Sequence, residues 1–213
     1  MHDAVEQFDQ TSVTLFTRAR SDSVGDTAGY AGDLLTHYLP RLRAFVRAQL
    51  SDQLRRRESE SDIVQSVCRG LVEEREKIDF EVESQFRAWL FTAALNKIRE
   101  RGRYWGRGKR DAKRLESIGA DRDLDDLALG YSGVFTPSRV AAAREQLERF
   151  ETSLEALPED EREVIALARI ARLPHDEIAE RMNRSVGAVR QLLGRALRRL
   201  STQLQSGDAT DAP

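Results

Sequence analysis

The sequence predicts an all-α protein of two small helical domains, and three observations carry that expectation. Apolar residues recur at helical spacing through most of the chain, and no segment alternates convincingly as a strand. Between two such periodic stretches, residues 106–138 follow no steady period. Charge is segregated: Lys97 to Arg114 holds nine Lys/Arg against Glu100 and Asp111, and Glu116 to Asp126 holds five acidic residues against Arg122, although the net charge is only -2. The 213 residues, 40% hydrophobic and 33% charged, suit one large domain or two small ones with modest cores.

Residues 1–33 form a leader that is expected to be partly mobile. Phe8, Val13, Leu15 and Phe16 can make a short amphipathic element, but SDSVGDTAGYAGD has the composition of a loop. From Leu34 the helical period sets in. Leu39, Leu42, Phe45, Val46 and Leu50 make one stripe, with Arg41, Arg43 and Arg47 pointing elsewhere, and SDQLRRRESES reads as a polar connector. A second helix is expected from Ser61 or Asp62 to about Lys77, burying Ile63, Val64, Val67, Leu71 and Val72. Cys68 lies beside this stripe as a small core residue rather than a reactive thiol. After a break at Ile78 to Val82, a third helix carries Phe86, Trp89, Leu90, Ala93, Ala94 and Ile98, until Gly102, Gly106 and Gly108 are expected to end it in a flexible basic segment. Together these make a first domain, residues 34–105.

Residues 106–138 read as a linker that spans on the order of 110 Å when fully extended. Its Leu124, Leu127, Leu129, Tyr131 and Phe135 are too apolar for an inert spacer, which predicts docking on another surface. The second domain, residues 139–204, opens with Val140, Leu147, Phe150, Leu154 and Leu157 on one helical face. Pro158 takes a first-turn position beside Glu159, Asp160 and Glu161, which favour a helix N-terminus, and that helix should run to about Ala171.

Leu173 to Leu200 then reads as a short helix, a tight turn and a longer basic helix. Ile178, Ala179 and Met182 are buried in the first helix, and Asn183 sits where the turn needs a left-handed backbone. Ser185 offers its hydroxyl as the N-cap of the next helix. There Val186, Val189, Leu193, Ala196, Leu197 and Leu200 form the apolar stripe, and Arg190, Gln191, Arg195, Arg198 and Arg199 form the opposite face. From Arg184 to Arg199 there are five arginines and no acidic residue. A helix-turn-helix with a wholly basic second helix predicts a major-groove reader. The alternative, a core hairpin with a solvated charged face, fits the one-signed charge poorly. The tail, residues 205–213, is expected to be disordered.

Several classes are excluded. A single cysteine rules out an intrachain disulfide and a Cys-rich zinc site, and His2, His37 and His175 are far apart without ligand spacing. There is no Ser/His/Asp arrangement and no phosphate-cradling glycine loop with a following lysine, so no catalytic residue, metal or cofactor is expected, and the protein reads as no enzyme. No apolar run approaches the roughly 18 residues that span a membrane, and MHDAVEQFDQ lacks the pattern of a secretory signal, which makes the cytoplasm the expected compartment.

Three motifs in order resemble the extracytoplasmic-function group of sigma-70 family RNA polymerase sigma factors, over about Leu34 to Leu204 apart from the linker. SDIVQSVCRGL resembles the Asp-x-x-Gln helix that grips the polymerase clamp, with Asp62 and Gln65 on the motif and Ser66 beside them. FRAWLFTAALNKIRERGR resembles the helix that opens and reads the proximal promoter element, matching at Trp89, Leu90, Asn96, Arg99 and Arg103. LEALPEDEREVIALARIARLPHDEIAERMNRSVGAVRQLLGRALRRL resembles the distal-element domain nearly end to end. The chain departs from the family pattern at Ser66, usually acidic, at Cys68, usually aromatic, at Asn183 and Arg184 in the turn, and at Leu192, where a basic residue is common.

The resemblance implies core RNA polymerase and promoter DNA as partners, with an anti-sigma protein as a candidate that no residue identifies. On the second helix of the motif, Arg190, Gln191 and Arg195 lie within reach of base edges, while Arg198 and Arg199 lie farther along, toward phosphate. Ser185 stands at the entry of that helix. Lys97, Arg99 and Arg103 with Tyr104 and Trp105 combine phosphate attraction with surfaces on which melted bases can stack. Asn96 serves equally as a base-edge contact or a surface residue, Trp89 fits the core better than DNA, and Asp62 fits either a helix cap or the clamp. The competing reading is a stand-alone helix-turn-helix regulator that binds an operator as a dimer without polymerase. A module that sequesters polymerase is a third.

Overall fold

The structure is a computed structural model that describes residues 27–74, 80, 82–107, 130, 131, 134 and 143–210. Among these residues there are eight helices and no strand, as the sequence predicts. The first bundle comprises α1 (Thr27–Gln49), the single turn α2 (Asp52–Arg55), α3 (Glu60–Glu74) and α4 (Glu83–Arg107). The second comprises α5 (Ala143–Glu155), α6 (Glu159–Ile165) with a π-helical continuation (Ala166–Ile170), α7 (His175–Arg181) and α8 (Val186–Thr210).

In the first bundle, Leu42, Phe45 and Val46 of α1 meet Ile63, Val67 and Leu71 of α3 and Phe86, Leu90 and Ala94 of α4. Phe91 and Leu95, off the expected stripe, are buried as well, because α4 packs on both α1 and α3 and so needs a wider apolar face. Phe45 and Phe91 meet edge-on with centroids 5.1 Å apart, and Phe86 lies 5.8 Å from Tyr38. Residue Val72, placed in the core by the sequence, is 55% exposed: it follows Leu71 by one position, about 100° round the helix and off the seam.

The element ends also differ from expectation. α1 starts at Thr27, inside the stretch with loop composition, and its first half is anchored by Leu34 and Tyr38, one turn apart and fully buried. The polar connector contains α2, with Leu54 in the core and Glu58 buried. α4 continues through Gly102 and Gly106 to Arg107. Each glycine costs a helix about 1 kcal/mol relative to alanine, and side-chain contacts offset this. The Trp105 indole N–H donates to Glu58 Oε1 at 2.8 Å, and the Arg57 guanidinium lies 5.1 Å from the same ring.

In the second bundle, Leu147, Phe150, Leu154, Val164, Ile165, Leu167, Ile178, Val189, Leu193, Ala196 and Leu200 form the core. Asn183 adopts φ 50°, the left-handed turn the sequence calls for, and Arg172 with φ 53° closes the preceding π-helical segment. Ser185 Oγ accepts the Ala188 N–H at 3.2 Å, which makes it the expected N-cap of α8. Leu192 is only 1% exposed and belongs to the core, so the family's basic residue has no place to go at this position.

The two bundles touch along α1, which packs on α5, α6 and the π-helical segment. The arginines of α1, placed by the sequence on a face away from the core, are drawn into this contact and its surroundings. Arg41 is 2% exposed, Arg43 Nε reaches Glu60 Oε1 at 2.6 Å, and Arg47 pairs with Glu151 of α5. Of the apolar interdomain residues, Tyr131 is fully buried against Phe150. Leu124, Leu127, Leu129 and Phe135 lie outside the described residues, as do residues 1–26 of the leader and 211–213 of the tail, while residues 205–210, expected to be disordered, continue α8.

Candidate nucleic-acid interface

α8 presents its apolar side to α5, α6 and α7, which turns the other side outward. Arg190, Gln191, Arg195 and Arg198 are exposed there and, with Gly194, line a shallow groove of about 360 Å³ with no carboxylate in its lining. Ser185 is exposed at the head of the same helix. Arg199 differs from its neighbours. Its Nη1 donates to Glu161 Oε2 at 2.9 Å, and that carboxylate is 93% buried on α6, so the arginine also fastens α8 to α6.

The second candidate surface lies between α3 and α4. A groove of about 530 Å³ has Ser66, Arg69, Glu73, Glu74, Trp89, Asn96 and Lys97 among its lining residues, so its two cations face two carboxylates. Here one polymerase-side candidate, Ser66, shares a surface with two promoter-side candidates, Asn96 and Lys97. Trp89 is half-buried and meets Phe80 at 6.1 Å, so it serves the core with one edge and the groove with another. Arg69 is a cation the sequence reading missed; it lies one turn beyond Gln65 on an otherwise ordinary helix, and nothing local marks it. Lys97 Nζ donates to Glu100 Oε2 at 2.8 Å, and this bond and charge hold the exposed Glu100 carboxyl below its ordinary range.

Farther along α4 the candidates diverge. Arg103 and Tyr104 are exposed. Trp105 is half-buried through its bond to Glu58, although its ring still lies edge-on to Tyr104 at 5.0 Å. Arg99 reaches across to the other bundle, where its Nη2 donates to Glu163 Oε1 at 2.8 Å. On α3, Gln65 is exposed and Ser66 half-buried. Asp62 does its own structural work. Its Oδ2 accepts from Ser59 N at 3.3 Å and Ser59 Oγ at 2.7 Å, while its N–H donates to Ser59 Oγ at 3.1 Å, a reciprocal box that starts the helix.

Cys68 packs half-buried against the core, and burial raises its thiol above the ordinary value. Among the described residues no group of three His, Cys, Asp or Glu is placed to hold a metal ion, and no helix is long and apolar enough to cross a membrane.

Comparison with known proteins agrees with this architecture. Residues 34–107 match sigma-70 region 2, and residues 147–200 match sigma-70, region 4. The RNA polymerase sigma factor CnrH of Cupriavidus metallidurans is 37% identical over 134 residues, 60% of this chain and 65% of that protein. The RNA polymerase sigma factor NccH of Alcaligenes xylosoxydans xylosoxydans is 34% identical over 128 residues, 60% of this chain and 64% of that protein. The matched part is thus a little under two thirds of either relative's length. Two solved structures share the fold. The sigma factor RpoE from Bartonella quintana, in complex with the anti-sigma factor NepR, aligns with a TM-score of 0.56 at 21% identity, covering 82% of this chain and 96% of that one. CnrH in complex with the cytosolic domain of CnrY aligns with a TM-score of 0.52 at 24% identity, covering 92% and 97%. With both family regions matched in order on the two bundles, the chain belongs to the sigma-70 family.

Proposed function

We propose that the protein is a sigma factor of the extracytoplasmic-function type, which binds bacterial core RNA polymerase, directs it to specific promoters and promotes DNA opening. The observation that carries this reading is the presence of two unlike DNA-facing surfaces on two bundles. α8 offers Arg190, Gln191 and Arg195 on a convex, carboxylate-free face that suits base edges in a duplex groove, with Arg198 and Arg199 toward phosphate. The α3–α4 groove instead offers an amide and an indole between two cations and the carboxylates of Glu73 and Glu74, which suits an unpaired base rather than a phosphate. Asn96 serves as the base-edge group, Lys97, Arg99 and Arg103 as phosphate contacts, and Tyr104 as the stacking ring, with Trp105 edge-on behind it. Gln65, Ser66 and Asp62 face the polymerase clamp. A regulator that merely occupies an operator has no use for a surface shaped to hold melted DNA.

The protein acts in the cytoplasm without catalytic residues or a cofactor of its own. An anti-sigma protein is a further partner, in line with the complex in which its structural relative RpoE was solved. Run-off transcription with purified core polymerase on a pool of genomic promoter fragments tests the reading. Specific start sites that require both proteins are expected. Specific binding by a dimer without polymerase would establish the stand-alone regulator instead, and polymerase binding without transcripts a sequestering module. For the clamp contact, Gln65→Ala is the clean probe, because Asp62→Ala also removes a helix cap.

A further inference from the structure

We infer that the Gly130–Tyr131 segment is a latch that holds the free protein closed and keeps Arg99 of α4 engaged by the second bundle; this rests on the function proposed above. Three elements meet at one carboxylate. Tyr131 is fully buried, its hydroxyl donates to Glu151 Oε1 at 2.9 Å, and its ring stands edge-on to Phe150 at 5.0 Å. Glu151 of α5 also accepts both Arg47 Nε, at 2.7 Å, and Arg47 Nη2. First bundle, interdomain segment and second bundle are therefore tied through a single side chain. Burial works against the Arg47 charge, but the hydrogen bonds and charge of Glu151 outweigh it and hold the guanidinium well above its ordinary value. Burial, then the Glu151 charge, pushes the Tyr131 hydroxyl up, which keeps it a donor.

Gly130 lets the segment lie flat on α1. A Cβ at this position would stand 2.6 Å from Ala44 Cβ and closer still to the Pro40 carbonyl oxygen, so no other residue fits. Polar pairs flank this point, beside the seam where α1 packs on the π-helical segment with its buried Ala166, Leu167 and Ile170. Arg55 pairs with Glu155, Gln49 Nε2 donates to the Arg162 carbonyl at 3.3 Å, and Arg99 pairs with Glu163. The cost of closure falls on Arg99, whose guanidinium is held by a carboxylate where a DNA phosphate would otherwise bind it. The α8 reading face takes no part in the contact. The free protein is thus open at its distal reader and has one cation of its proximal one, Arg99, engaged, until polymerase or DNA releases the latch.

The test uses the full chain. Gly130→Val should enlarge the radius of gyration in small-angle scattering at unchanged helicity. It should also tighten binding of a mixed-sequence single-stranded oligonucleotide by about three- to ten-fold, the factor by which a closed state that is 70–90% populated weakens apparent affinity. Glu151→Gln, which weakens the same tie without adding volume, should act in the same direction and decides the matter should Gly130→Val lose helicity. A variant as compact as the wild type, or one that opens without binding DNA more tightly, would overturn the latch. Run-off transcription by the wild type separates the two claims: its failure removes the sigma reading, whereas normal transcription with unmoved oligonucleotide binding removes only the latch.

Discussion

α4 and α8 are both 25 residues long and both carry a basic outer face, yet the two helices hold their charge differently. On α4, Lys97 is paired with Glu100, Arg99 with Glu163, and Arg101 lies 3.6 Å from Glu58. On α8, Arg190, Arg195 and Arg198 share their groove with Gln191 and a glycine and with no acid; among the described residues only Arg199 of this face has a carboxylate partner. The difference follows from position in the fold. α4 meets Glu100 and Glu58 within its own bundle and Glu163 on the second, whereas α8 packs on α5, α6 and α7 through its apolar side. A count of positive residues measures attraction to DNA only after the pairs have been subtracted, and by that measure α8 is the better prepared of the two.

The largest expected effect probes the face assignment of α8. Leu192→Ala should cost about 2–5 kcal/mol of folding stability, the range for removing a large buried aliphatic side chain, measured by denaturant or thermal unfolding. A loss within about 0.5 kcal/mol, the size of an exposed substitution, would mean that the helix is rotated and the basic face misassigned. Next, Arg190→Ala should lose about 1–3 kcal/mol of discrimination between matched and scrambled promoters with no change in unfolding, as expected for a base-edge contact. Arg199→Ala should weaken all DNA about equally and should also lower stability by up to about 1 kcal/mol, discounted because the arginine is half-exposed. Equal losses of discrimination in titrations at fixed salt would erase the distinction between the two positions.

The contrast between α4 and α8 also marks what the sequence discloses. The helix class, the main apolar stripes, the Asn183 turn and the Ser185 cap were legible, because each depends on residues within a turn or two of one another. The basic face of α8 was legible for the same reason. The partners of Arg99, Arg199 and Trp105 were not, since Glu163, Glu161 and Glu58 stand 64, 38 and 47 residues away. Burial of Leu192, Phe91 and Leu95 needed a second neighbour that a single-helix period does not register. Arg41 and Arg47 read as solvent-facing for want of any local sign that another bundle covers α1. Tyr131 stood out as too apolar for a spacer, but its seat on Glu151 had no signal in the chain.

A smaller effect separates the two adjacent rings near the end of α4. Tyr104, 62% exposed, should act on DNA: Tyr104→Ala is expected to weaken single-strand binding by about 1–3 kcal/mol, the worth of one stacked base. Trp105→Phe should mainly lower stability, by about 1 kcal/mol for the lost bond to Glu58. Oligonucleotide titrations and melting curves read the two quantities apart, and a reversal of the pattern would place Trp105 on the DNA.

The smallest effect checks that opening leaves the first bundle intact. Cys68 packs against that bundle's core, and burial raises its thiol above its ordinary value. The reactive species is the thiolate, so at pH 7 alkylation by iodoacetamide should be slower than in the urea-unfolded chain and should rise with pH toward the raised value. None of the contacts that tie Gly130 and Tyr131 to α1 and α5 involves Cys68. Gly130→Val should therefore expand the particle while leaving the alkylation rate within about two-fold of wild type, since any larger rise would require the thiol to lose the burial that protects it. A rate approaching that of the unfolded chain would show that the variant loosens the first bundle itself, and the asymmetry between α4 and α8 would then reflect a fragile domain rather than a covered one.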